Sequence, residues 1–112
     1  MPDIGDIYVA RIYYSGTSGP YKNRPVLILN TDGKSSFTIV EITSVPPKNP
    51  PGHYDSFKEK IYNWKQYGLD EPSYIKCKNI HNPIGIQFFR KIGTMKDTEE
   101  FEHIVNRIDE CN

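Results

Sequence analysis

No stretch of this chain reaches the roughly 18 consecutive apolar residues that a membrane-spanning helix needs. Nor does the N-terminus carry the charged-then-apolar order of a secretory signal, so a soluble, cytoplasmic protein is expected. Cysteine is scarce as well. Cys77 and Cys111 are too few for a disulfide framework, and neither has the companions of a zinc site. Reduced, incidental thiols are expected, with no metal and no cofactor. A net charge of zero removes any simple electrostatic case for nucleic-acid binding. That balance conceals a division: residues 1–96 hold 13 Lys and Arg against 8 acids, and residues 97–112 hold one Arg against six acids. Such asymmetry fits a mildly anion-attracting body with an acidic appendage.

Apolar content is also low, at 37%, but eight tyrosines and five phenylalanines can build a core with polar edges. A chain of 112 residues forms one domain, spanning 1–112, and buries about two-thirds of its unfolded surface. Nine prolines and eight glycines favour many turns and short strands, hence a mainly β fold. Internal repeats and low-complexity segments are missing.

The chain is organised around Lys22-Asn23-Arg24-Pro25-Val26-Leu27-Ile28-Leu29-Asn30. Its continuous apolar run, Val26 to Leu29, suits a strand buried on both faces. Pro25 suits the first position of that strand, which is expected over 24–30. Arg24 then stands at the rim of a core with five donors on a planar fork. Gly5 to Tyr13 reads as the preceding strand, and the intervening 14–23 loop is rich in Gly and Ser, as a ligand-covering loop would be. Asp32-Gly33 supplies a hairpin turn into a third strand, Ser36 to Ser44. Along it Phe37, Ile39, Glu41 and Thr43 share one face. Pro46-Pro47 ends it, and a loop follows to Phe57. Further strands are expected at 58–61, 73–79 and 88–92, with a helical turn over 63–67 closed by Gly68. Asp97 opens a terminal helix, with Glu100 three residues on as in a capping box. Phe101, Ile104, Val105 and Ile108 form its apolar stripe. The whole is a small, strongly bent antiparallel sheet or barrel with a helix at its end.

Several of these stretches, in order, resemble the MazF/PemK toxin family. They are Gly5-Asp6-Ile7, the Gly-bearing loop, Lys22-x-Arg24-Pro25-Val26-Leu27-Ile28-Leu29, and Ile42-Thr43-Ser44. The later Ile61-x-x-Trp64-x-x-x-Gly68-Leu69-x-x-Pro72-Ser73-Tyr74-Ile75 and Lys91-Ile92-Gly93 complete the match. The resemblance implies an SH3-like barrel, usually a homodimer, acting as the toxin of a type II toxin–antitoxin pair. It further implies a metal-independent, sequence-selective endoribonuclease that cuts single-stranded RNA through its own 2′-OH, leaving a 2′,3′-cyclic phosphate and a 5′-hydroxyl. A cognate antitoxin would obstruct the RNA groove.

By that resemblance Arg24 is the central catalytic residue, with Thr43 and Ser44 offering hydroxyls to the scissile phosphate. An arginine pKa above about 12 makes proton abstraction hard, so electrostatic stabilisation is its better role. Lys22, Ser18, Gly19, Lys76, Lys78 and His53 are the expected RNA contacts. Some relatives carry an arginine and an aspartate two apart on a later strand, where this chain reads Lys76-Cys77-Lys78. That acid/base pair is therefore missing. Imidazole is the usual base for RNA cleavage without metal, yet His53, His81 and His103 default to surface histidines. Tyr13, Tyr14, Tyr21 and Trp64 could stack unpaired bases, although aromatics more often serve core or dimer contacts. The alternative is a non-enzymatic SH3-like module that binds protein or nucleic acid and has lost nuclease activity.

Overall fold

Alternating and continuous apolar runs dictate the sheet that the computed structural model contains. It describes residues 2–13, 19–53, 55–83 and 85–112. Six described strands run β1 (Asp6–Tyr13), β2 (Tyr21–Thr31), β3 (Phe37–Thr43), β4 (Lys58–Lys60), β5 (Tyr74–His81) and β6 (Phe88–Thr94). All pairings are antiparallel, in the order β4-β5-β3-β2-β1-β6. Helix α1 (Thr98–Cys111) closes the chain.

Both faces of this sheet are covered. Towards α1, Ile7, Leu27, Val40, Ile42, Ile75 and Cys77 meet Ile104, Ile108 and Cys111. On the other face Ala10, Ile12, Val26, Ile28, Phe37 and Ile39 form a second cluster. Tyr8 and Phe37 meet Phe88 edge-on there, with ring centroids 5.3 and 5.0 Å apart. The run Val26 to Leu29 thus feeds both cores alternately, as its lack of polar residues requires.

Three expectations need correction. Pro25 lies inside β2, because that strand begins at Tyr21 and not at Arg24. It pairs with Val9 of β1, while the ladder to β3 begins only at Val26 opposite Glu41. β2 therefore has an open edge beside Pro25, where a missing N–H is tolerated. The stretch after Pro46-Pro47 is not wholly irregular, since Asp55–Phe57 makes a 3-10 turn. The Asp55 carboxylate accepts from Gly52 N at 2.7 Å and Lys48 N at 3.1 Å, which secures its start.

The capping box is only half formed. Asp97 accepts from Glu100 N at 3.1 Å, but the Glu100 carboxylate turns away from the helix start. It is buried, and accepts instead from Tyr62 N at 2.5 Å, Asn63 Nδ2 at 3.0 Å and the Tyr67 hydroxyl at 2.6 Å. With the Asn63 backbone N–H at 3.3 Å, four donors from one turn outweigh the single N–H a capping box offers. Burial, together with this bond to Glu100, pushes the Tyr67 hydroxyl pKa up.

That 62–68 turn presses against β6. Gly68 has φ +89°, and a Cβ on Gly93 would lie 1.9 Å from the Tyr67 carbonyl oxygen. No flexible side chain can yield there, because the obstruction is backbone. Gly93→Ala should therefore destabilise the protein by about 2–4 kcal/mol, from overpacking with backbone displacement. Urea denaturation checks this; a variant within experimental error of the parent would mean the contact is looser than drawn.

Candidate active site

Arg24 on β2 is brought beside Glu41 on β3, with Nε 3.5 Å from Glu41 Oε1. The open edge of β2 leaves the Arg24 side chain about 30% exposed. Glu41 itself is only 5% exposed. It continues the inward-facing series Phe37, Ile39, Glu41 along β3. A carboxylate in that position is costly unless paired, and this one has four neighbours. Besides Arg24 they are Lys76 Nζ at 4.0 Å, Asn79 Nδ2 at 3.3 Å and His81 Nε2 at 2.7 Å.

An irregularity in β5 makes this possible. Ile42 pairs with Ile75, yet Val40 pairs with Ile80, so β5 carries extra residues between them. Strict alternation would send Lys76 and His81 to opposite faces. The bulge re-aims them, and both reach Glu41. Burial acts to raise the Glu41 pKa, but the His81 hydrogen bond, the Lys76 and His81 charges and the Asn79 hydrogen bond prevail and lower it. The carboxylate is ionised at neutral pH.

Thr43, two residues beyond Glu41, shares its face. Its Oγ1 accepts from Val45 N at 3.1 Å, which leaves the hydroxyl proton for a ligand. Ser44 is exposed in the bend after β3. Lys78 lies 4.9 Å above the Phe57 ring, and with Lys76, Lys58 and Asn79 it lines a small recess. Lys22, near the start of β2, is exposed, as are Gly19 and His53. Ser18 and Tyr14 lie outside the described residues. Tyr21 packs under the Arg11 guanidinium, 4.0 Å from it, and Trp64 packs against the α1-side core. Of the expected site residues, Arg24 and Lys76 therefore meet at one carboxylate, and Thr43 lies two residues along the same strand.

Glu41, Asn79 and His81 are the residues sequence reading missed. Glu41 had left a signal, a lone charge at an inward position of an otherwise apolar face. For His81 no such signal exists, because its placement depends on the bulge. The imidazole is about a third exposed and lines a cleft of about 610 Å³ with Arg11, Tyr13, Asn82, Ile86 and Gln87. Among the described residues no three His, Cys, Asp or Glu side chains cluster as a metal site. Both cysteines are buried free thiols, and burial pushes Cys77 up to about 12.

With this geometry in hand, comparison with known proteins is informative. Residues 3–111 match the PemK-like, MazF-like toxin of type II toxin–antitoxin systems. The chain belongs to that family. Among solved structures it is similar to the Mycobacterium tuberculosis toxin MazF-mt6, at 24% identity and a TM-score of 0.60, covering 93% of this chain and 96% of that one. This likeness confirms the expected mainly β fold. A search of curated protein sequences returns no match.

The loop beyond β3 is tied to β4 by Asp55, which pairs with Lys58 at 3.1 Å while Lys58 donates to Val45 O at 3.2 Å. Hydrogen bonds from Gly52 and Lys48 backbone N–H groups, then Lys58, lower the Asp55 pKa from 3.8 to about 2. Its contribution to stability is complete above the unfolded value of 3.8 and disappears as pH falls through about 2. The stability gap between parent and Asp55→Asn should therefore be constant near neutrality and shrink in that acid window. Urea denaturation across a pH series measures it, and a gap independent of pH would contradict the assignment.

Proposed function

We propose that the protein is a toxin-type, metal-independent endoribonuclease that cuts single-stranded RNA sequence-selectively. In this reading it acts as a cytoplasmic homodimer and is neutralised by a cognate antitoxin. The observation that carries the reading is the position of Arg24: part-exposed at a sheet rim, with Nε engaged by Glu41.

In the proposed reaction the ribose 2′-OH attacks the adjacent phosphorus, and negative charge builds on the phosphoryl oxygens. Arg24, oriented through Nε, presents its two terminal nitrogens to those oxygens. Thr43 donates its hydroxyl proton to the same phosphate, and Ser44 flanks it at the strand end. Lys76 adds a point charge from β5. Such preorganised donors, fixed before the charge appears, supply the largest share of the barrier lowering. Lys22, Ser18, Gly19, Lys78 and His53 would track the flanking RNA from the surrounding loops and strand edges.

Arg24→Ala should reduce cleavage of a long single-stranded RNA by at least about 100-fold, by analogy with removal of an oxyanion donor. Its circular dichroism and melting temperature should stay close to the parent's. Undiminished cleavage would refute the role of Arg24. A parent protein that binds RNA without cutting it would favour the non-enzymatic module instead.

A further inference from the structure

We infer that His81 is the general base of this reaction, with Glu41 as the residue that positions it; the inference rests on the endoribonuclease reading above. Arg24 stays protonated and cannot take the 2′-OH proton efficiently, so the site needs another acceptor. His81 is one of three histidines in the chain. Of the other two, His103 of α1 is bound to Glu59 of β4 at 3.1 Å, and His53 is exposed in the loop after β3.

The hydrogen bond to Glu41 sets the chemistry of the ring. An ionised carboxylate only accepts, so Nε2 of His81 must carry hydrogen in its 2.7 Å contact with Oε2. The neutral ring is then the Nε2–H tautomer, with its lone pair on Nδ1. That is the form a general base requires, and a carboxylate behind it also stabilises the imidazolium once the proton arrives. Arg24 Nε contacts the other oxygen of the same carboxylate. One rigid group thus sets the spacing between the phosphate-binding fork and the base.

The proton path balances without any added reagent. Nδ1 of His81 takes the 2′-OH proton as the O2′ electron pair forms the bond to phosphorus. The bond from phosphorus to O5′ breaks, its electron pair stays on O5′, and that oxygen takes a proton from solvent water. The imidazolium later releases its proton to solvent. Charged and titratable groups facing His81 are Glu41 from β3, Arg24 from β2 and Lys76 from β5, with Arg11 and Tyr13 of β1 across the cleft. Glu41 favours the imidazolium, and the three cations oppose it.

The test compares the parent with His81→Ala, His81→Asn and Glu41→Gln on one long single-stranded RNA of mixed sequence. His81→Ala should lower kcat about 10²- to 10⁴-fold with little change in RNA affinity. Added imidazole should restore part of the rate in His81→Ala and none in the parent. The acid limb of the parent's rate profile should vanish in both His81 variants. Glu41→Gln should lower kcat and displace that limb while leaving it present. If His81→Ala fails to fold, His81→Asn carries the comparison. A His81 variant that keeps the parent's rate and acid limb overturns the base assignment and leaves Arg24 untouched. A parent protein that cuts no RNA overturns both.

Discussion

The carboxylate of Glu41 is the fixed point on which side chains of three strands converge. It sits almost wholly out of water near the middle of a β-sheet, a position that would be untenable for a lone anion. Side chains from β2 and β5 close on it from either side, so three strands are tied through one group. Removing any neighbour leaves the others to hold the charge, but removing the carboxylate would leave two cations and an imidazole with no common partner. An ionic cluster of this kind is a poor source of stability, and its value is geometric. It orients a guanidinium, an ammonium and an imidazole toward one region.

Around that point the sheet is stiff, and stiffness has identifiable origins. Apolar side chains cover both faces of β2 and β3, so the strands bearing Arg24, Glu41 and Thr43 cannot tilt independently. Behind them α1 is locked by a second buried carboxylate, Glu100, which collects donors from the 62–68 turn. Two acids in the same chain thus serve opposite ends. Glu100 is satisfied by neutral donors and fixes a helix, while Glu41 is satisfied mostly by groups with further donors to spare. Of the other expected RNA contacts, Lys22 and Lys78 lie on strands and Gly19 and His53 in connecting segments, and Asp55 restrains the loop that follows β3.

Much of this architecture was legible in the order of residues. Period-two alternation placed the strands, Asp-Gly placed the 32–33 turn, and the 3.6-residue stripe with Asp97 placed the helix. That Arg24 and Thr43 lie on neighbouring strands was legible as well, although Arg24 stands within β2 and not at its start. The register of β2 beyond Pro25, the diversion of Glu100, and the convergence on Glu41 were not. Each depends on which distant strand or turn happens to lie alongside, and a backbone N–H or a hydroxyl offers no sign in sequence of the partner it will find.

The sequence alone indicated roughly where the strands and the helix lie and which of their positions are apolar, since these follow from side-chain chemistry repeated along a short stretch. The tertiary structure decided that Lys76, Asn79 and His81 should meet a single carboxylate. A bulge changes the parity of a strand, and parity determines which side chains can meet across a sheet.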